Sequence, residues 1–442
     1  MRLKCGADHN TIGSFMRRMN TFILAPMVEQ ERILRERAIN CAKLWNEATY
    51  RKRQAYMNYQ PIDWGCKDLY QKYASLIDSA TAQQILRKNS ESWRSFLALK
   101  QLEREGKLPP NIEKVCMPGY WKRDGKYKLM MVLRNDCYNL KNGVMKLPKG
   151  LSMSFKGKPR WNGKQARVEI VYDNIDMKWR VFQAVRVKPL FKPRGSKTCY
   201  IDLGVINLLT IWLEGWRQPI AYSGRTLLAD WWYWVDRMAD CQSRLETINS
   251  KRNSKQLSRF YRTRQRRFRQ AINTMTRRMV RDLYDLDVSK IVIGNLTGIR
   301  DGNDKGKKSN TIIHNFWSFK YIIQRLRYTA QEYGIGVKEV NEYKTSSRCI
   351  RCGSENVVRQ GKLFKCLDCG LEAHRDAIGV LNMANLYGGT AIRVVTHPNL
   401  LKWDGMRWER NNAMTHQSMN MIEARIPQAS AVGVSTRQRS RS

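Results

Sequence analysis

Two C-x-x-C pairs, Cys349/Cys352 and Cys366/Cys369, separated by thirteen residues, constrain this chain more than any other feature. Thiolates at this spacing let two tight knuckles complete one tetrahedral S4 shell, the usual geometry of structural zinc. A ribbon of this kind builds no reaction centre by itself, but it pins the segments that enter and leave it. Glu342 lies seven residues before Cys349, and Asp376 seven residues after Cys369. The ribbon therefore holds the two segments that carry these carboxylates.

Charge narrows the partners. Lys and Arg number 80 against 38 acidic residues, a formal net charge of +42 in 442 residues. Self-repulsion of that size weakens a compact state unless a polyanion relieves it. Aromatics make up 10% of the chain, with 14 tryptophans, which argues for folded domains rather than a basic disordered tail. Residues 1–13 are basic and polar with no apolar core, unlike a secretory leader. The other seven cysteines (Cys5, Cys41, Cys66, Cys116, Cys137, Cys199, Cys241) follow no pattern and read as reduced thiols of an intracellular protein. No apolar run approaches the ~20 residues that span a bilayer, so no membrane partner is expected.

Along the chain, residues 21–24 read as a strand and 26–56 as a helix with apolar Ile33, Leu34, Ala38, Cys41, Ala42, Trp45 and Ala48 at helical spacing. A second amphipathic helix is expected over 79–103, with Ser79 as its N-cap. Residues 114–188 switch to short strands bounded by Gly, Asn and Pro, including a hairpin of 166–172 with 179–187. They suggest a small antiparallel barrel that the N-terminal strand completes. After a linker at 189–195 come strands at 199–203 and 208–213, a long helical stretch, a strand at 290–293, a polar loop at 301–310, a helix near 314–333 and a strand at 336–341. Strands alternating with helices indicate an α/β layer with a mostly parallel core.

Asp202 sits inside the apolar run Tyr200-Ile201-Asp202-Leu203-Gly204, and a carboxylate there needs a partner or a metal. The bland alternative is an edge aspartate with hydrogen bonds of its own. Asp376, in Ala373-His374-Arg375-Asp376, alone reads as a cap of the apolar helix 378–386. Together the two point to phosphodiester cleavage by hard divalent cations held on several carboxylates. His374 is not needed by a four-cysteine site and reads as structural or phosphate-contacting.

Five features follow in order: Tyr200–Gly204, the strand and loop 291–300, residues 343–346 (YKTS), the C-x-x-C pairs and Ala373–Asp376. In that order and spacing they resemble the RuvC motifs and inserted zinc ribbon of TnpB, the transposon-encoded relative of type V CRISPR effectors, over about 198–385. The N-terminal half resembles that family only in outline. The resemblance implies a multidomain α/β protein. Residues 1–25 and 113–195 would form a small wedge β-barrel, 26–112 a helical recognition domain, and 196–385 a RuvC, ribonuclease-H-like nuclease domain. That domain would hold a basic helical insert at about 225–285 and a zinc ribbon at about 345–372, with 386–442 a largely disordered tail. It also implies an RNA-guided DNA endonuclease with a guide RNA and target double-stranded DNA as partners, Mg2+ or Mn2+ at the nuclease site, and structural Zn2+. The place implied is the cytoplasm or nucleoid of a prokaryote, or a eukaryotic nucleus.

One position departs from the family pattern. Most relatives carry the middle catalytic glutamate just after the central strand, where this chain has Gly294-Asn295. Strands 290–293 and 336–341 are joined by a helix and should be parallel neighbours about 4.8 Å apart. Glu342 then reaches the volume that residue 294 would have served, and the resemblance agrees, since some TnpB and Fanzor proteins carry the glutamate there. Glu339 is inside the strand and points the other way. Asp202, Glu342 and Asp376 are the expected catalytic set; the alternative for Glu342 is a surface salt bridge beside the ribbon.

Residues 247–281 hold twelve Lys or Arg and no acid, with Phe260, Tyr261 and Phe268 interleaved. An ordinary solvated face mixes signs, so Arg259, Arg262, Arg264, Arg266, Arg267 and Arg269 are expected to bind nucleic-acid phosphates. Trp231-Trp232-Tyr233-Trp234 reads as packing rather than base stacking. The competing functions are a guide-dependent DNA binder that lost cleavage with the glycine at 294, and an RNA-binding ribbon protein, which leaves the ordered motifs unexplained.

Overall fold

The computed structural model describes residues 15–109, 112–123, 125–249, 253–296, 306–342, 345–389 and 397–410. The chain forms two compact units, 1–192 with 251–259, and 193–250 with 260–442.

The first unit starts with strand β1 (Met16–Ala25), followed by helices α1 (Val28–Met57), α2 (Lys67–Ile77) and α3 (Ser79–Arg104). A short ladder, β2 (Lys122–Arg123) with β3 (Lys126–Tyr127), leads into β4 (Met130–Leu133), β5 (Asn139–Lys141), β6 (Val144–Lys146), β7 (Ser152–Lys156), β8 (Lys164–Asp173) and β9 (Lys178–Val187). Seven strands make one antiparallel sheet in the order β4-β8-β9-β1-β7-β6-β5. The N-terminal strand thus joins the later strands, in the middle of the sheet. It is longer than its apolar stretch suggests, because β1 pairs β9 from Met16↔Val187 to Ile23↔Arg180. Helices and sheet share one core, in which Leu34, Ala38 and Ile85 cluster with Phe22, Met131 and Val181. Asp78, not Ser79, caps α3: its Oδ1 accepts from the Thr81 N–H at 2.8 Å.

The second unit carries the expected α/β layer. Its elements are β10 (Lys197–Leu203), β11 (Asn207–Leu213), β12 (Ile220–Ser223), α4 (Arg225–Asn249), α5 (Lys255–Asp285, from residue 260 on), β13 (Val288–Asn295), α6 (Lys307–Thr311), a π-helical turn (Ile312–Phe316), α7 (Phe319–Glu332) and β14 (Gly336–Asn341). A small antiparallel sheet follows, β15 (Val357–Gln360), β16 (Leu363–Cys366) and β17 (Glu372–His374), then α8 (Arg375–Leu386), β18 (Asn399–Trp403) and β19 (Trp408–Arg410). The large sheet runs β14-β13-β10-β11-β12-β18-β19, with β10, β13 and β14 parallel.

Strand alternation sorts this unit into two cores. Cys199, Ile201 and Leu203 of β10 join Ile291 and Ile293 of β13 and residues of α5 and α7 on one face. Tyr200, Val292 and Val340 meet Ile378, Leu381 and Phe364 of α8 and the ribbon on the other. By parity Asp202 and Gly294 share that second face. Truncating Leu381, fully buried there, to Ala would cost about 2–5 kcal/mol.

Residues 399–410 depart from the expected disordered tail. β18 pairs with β12 from Ile220↔Asn399, and Trp408 is 1% exposed and donates its indole N–H to the Ala271 carbonyl at 3.0 Å. Two short strands, one ending and one starting in a buried tryptophan, satisfy their backbone at a sheet edge, a pairing that local composition does not announce. Residues 390–396 and 411–442 of that expected tail lie outside the described residues.

Candidate active site and cysteine cluster

The three expected carboxylates gather at the C-terminal ends of β10 and β14 and the first turn of α8. The ladder brings Ile201 beside Ile293 and Gly294 beside Val340, so Asp202, Gly294 and the end of β14 run across adjacent strands. Glu342 follows one residue beyond that ladder. Its side chain lies directly over Gly294: a Cβ placed on this glycine would fall 1.3 Å from Glu342 Oε1 and 1.9 Å from its Cδ. The carboxylate on the neighbouring strand therefore fills the space that a side chain at 294 would have used. Glu339 points to the opposite face and pairs with Arg327 of α7 at 2.7 Å.

Asp202 lies against α8, where a Cβ on Gly379 would come 3.1 Å from its Oδ2. Burial first, then the charges of Glu342 and Asp376, push the Asp202 carboxyl well above the usual range. Glu342 is pushed up to about 7, mainly by burial, with the Leu203 N–H drawing it partly back. Its Oε1 is buried and has no hydrogen-bond partner among the described residues. Asp376 is held differently. Its Oδ2 accepts from Lys362 Nζ at 2.7 Å and from Asn207 Nδ2 at 2.8 Å. Lys362 comes from the turn between β15 and β16, so the ribbon delivers a cation to this carboxylate. His374 caps α8, its Nδ1 accepting from the Asp376 N–H at 3.3 Å, which fits a structural role.

Lys362 and Asn207 were not singled out from sequence. Lys362 occupies a turn and Asn207 opens β11 just after one, where residue type says little about direction. Asn207 follows Gly204, whose Cβ would lie 2.5 Å from the Asn207 carbonyl oxygen. That glycine therefore serves a tight backbone turn.

These raised carboxyls predict a pH dependence. Without divalent metal, the folded protein keeps a proton on Glu342 up to about pH 7, while the unfolded chain loses it near 4.5. The folded state binds more protons in that window, so stability falls as pH rises through it. Between pH 6 and 8 the loss should be about 1–2 kcal/mol, read as a lower Tm, and Glu342→Gln should flatten it.

The four cysteines form the second site. Their sulfurs all lie within 4.8 Å of one another, with Cys349–Cys369 at 3.6 Å and Cys352–Cys366 at 3.5 Å. The two knuckles repeat one design. The Gly353 and Gly370 N–H groups, each in a glycine with positive φ, donate to the carbonyls of Cys349 and Cys366. The Cys349 and Cys366 N–H groups donate to Ser354 and Leu371. Four converging thiols suit a tetrahedral thiophilic metal. Among the described residues no other such group closes to this spacing; the three carboxylates stand farther apart.

Several arginines of α5 are already engaged. Arg264 lies over Trp231 (5.3 Å) and Tyr261 (5.4 Å), and burial lowers its pKa. Arg267 Nε donates to both Asp230 carboxylate oxygens at 2.9 Å, and Arg269 lies 5.2 Å over Tyr321. Arg259 and Arg266 are exposed and have no ion-pair or ring partner among the described residues. Trp231 is buried and Trp234 packs on Phe260, as expected for packing residues. Tyr343, Lys344 and the loop 297–305 lie outside the described residues.

Comparison with known proteins covers most of the chain. Residues 182–300 match a family described as "Probable transposase", and residues 319–383 match "Cas12f1-like, TNB domain". The TnpB-like protein ORF457 of Acidianus two-tailed virus is 30% identical over 415 residues, covering 86% of this chain and 89% of that one. The CRISPR-associated endodeoxyribonuclease Cas12f1 of Sulfoacidibacillus thermotolerans is 32% identical over 119 residues, 25% of this chain and 26% of that protein. The fold is similar to Cas12f1 in a complex with guide RNA and target DNA, with a TM-score of 0.56 at 12% identity over 84% of this chain and 98% of that one.

Proposed function

Because the chain belongs to the TnpB family, we propose that it is an RNA-guided DNA endonuclease that hydrolyses target phosphodiesters in a RuvC-like, ribonuclease-H-like site. The observation that carries this reading is the Glu342 carboxylate lying over Gly294 beside Asp202, in place of the glutamate that residue 294 lacks. A decayed site has no reason to retain that replacement, which weighs against the nuclease-inactive alternative.

The donor set fits a hard divalent cation: three carboxylates, one with a buried oxygen that has no partner among the described residues. Asp202, Glu342 and Asp376 would hold Mg2+ or Mn2+. When bound, the metal supplies an activated water and neutralises charge at the leaving oxygen. The protein's own part is positional. β10 fixes Asp202 on a rigid sheet, Glu342 follows just past the end of β14, α8 presents Asp376, and Asn207 and Lys362 hold the Asp376 carboxylate. Sequence selection is assigned to base pairing with the guide, while basic surfaces hold backbone.

Sequencing the RNA that co-purifies with the protein and then supplying a matching plasmid tests the proposal. Guided cleavage with Mg2+ or Mn2+ is expected; guided binding without any cleavage would overturn it. Arg259→Gln with Arg266→Gln should weaken nucleic-acid binding across sequences and lower the log–log salt slope by about two, one per lost phosphate contact. An unchanged slope would mean that these two are merely solvated.

The four thiolates are assigned to one structural Zn2+. Cys366→Ser should release it, as elemental analysis would show. Because the ribbon joins the segments bearing Glu342 and Asp376, cleavage should fall with zinc content.

A further inference from the structure

Glu342 sits one residue past β14, whose ladder ends at Asn295↔Asn341, so the sheet alone does not hold it. Its backbone is gripped from α8 instead. Asn382, 7% exposed, donates both amide hydrogens to the flanking segment, to the carbonyls of Thr345 and Arg348 at 2.7 Å each. Thr345, 4% exposed, returns to Glu342: its N–H and Oγ1 donate to the Glu342 carbonyl at 3.2 and 3.0 Å. On the other side, the Tyr387 hydroxyl at the end of α8 donates to the Asn341 carbonyl at 2.8 Å. The same helix carries Asp376 in its first turn and lays Gly379 against Asp202.

We propose that Asn382, assisted by Tyr387, is a positioning residue for Glu342, clasping the backbone on both sides of the relocated carboxylate. The clasp rests on the catalytic reading of Glu342. A glutamate carried inside a strand is placed by the ladder; one moved beyond the strand end needs another anchor. α8 provides it, and so sets all three carboxylates from one rigid element. Partners that orient a metal ligand typically matter 10–100-fold for metal affinity or activity, and Asn382 acts on the ligand's backbone through Thr345.

The test uses the full chain with Asn382→Asp, which keeps the shape but turns a donor into an acceptor facing two carbonyls, and with the milder Tyr387→Phe. Mn2+ titration followed by electron paramagnetic resonance should show binding weakened about 10–100-fold in Asn382→Asp and less in Tyr387→Phe. Zinc content and guide-dependent DNA binding should stay unchanged. Cleavage should fall in parallel and recover partly at high Mn2+. Unaltered Mn2+ affinity in both variants, beside a Glu342→Ala protein that no longer binds Mn2+, overturns the clasp alone. Loss of zinc in step with Mn2+ also overturns it, since Asn382 would then merely fasten the ribbon. If Glu342→Ala itself binds Mn2+ and cuts normally, the catalytic reading fails and takes the clasp with it.

Discussion

Glu342→Ala is expected to slow target cleavage by about 10³-fold or more while leaving guide-dependent DNA binding intact. The carboxylate faces Asp202 across Gly294 and makes no hydrogen bond through Oε1 among the described residues, so its removal gives up the bond from the Leu203 N–H but no contact at Oε1. Removing it also relieves a buried charge, so the variant should be at least as stable as the unmutated protein above pH 7. Loss of activity with gain of stability separates a functional carboxylate from a structural one. Carboxylates that hold metal together act as a unit, so Asp202→Ala with Glu342→Ala should be scarcely slower than either alone. Cleavage by Glu342→Ala at the normal rate would remove this residue from the catalytic set.

Gly294→Ala should be nearly as damaging, although it adds only one methyl group. Its Cβ would stand 1.3 Å from Glu342 Oε1 and 2.2 Å from its Cγ, so the glutamate must swing out of the site. The backbone at 294 is outside the left-handed region, so the glycine answers to its neighbour and not to its own φ. A displaced carboxylate should cost about 10²–10³-fold in cleavage. The compensating exchange is the sharper half of the prediction. Gly294→Glu combined with Glu342→Gly should cut faster than either single variant, because it returns a carboxylate to the same volume from the adjacent strand. Plasmid cleavage by the three variants reads this directly. A double variant no faster than the singles would mean that the two positions do not share that volume.

Much of the site was legible because it rests on period and adjacency. The alternation of β10 put Asp202 on a face with Tyr200, and the helix joining β13 to β14 required parallel neighbours, which brought Glu342 toward Gly294. The same alternation turned Glu339 away, toward Arg327. Lys362 and Asn207 escaped notice because one acts from a turn and the other from the first residue of a strand that follows one, where directions are fixed by tertiary packing. Charge patterning named the basic helix but could not separate exposed Arg259 and Arg266 from Arg264, spent between two aromatic rings. The strands β18 and β19 are short, and only the pairing of β18 with β12, and of β19 with β18, explains them. Asp78 rather than Ser79 caps α3 because both residue types can cap, and one residue of register decides which does.

The close approach of Glu342 to Gly294 also bears on how such proteins are sorted. Parallel strands about 4.8 Å apart are closer than a glutamate side chain is long, so a sheet can receive the same carboxylate from either of two neighbouring strands. What is inherited is then a location in space rather than an alignment column. A census that scores activity by demanding an acid at column 294 would discard this chain as defunct. A census that also admits an acid just past the next strand, provided a glycine faces it, would keep this chain and would still reject sequences that have lost both.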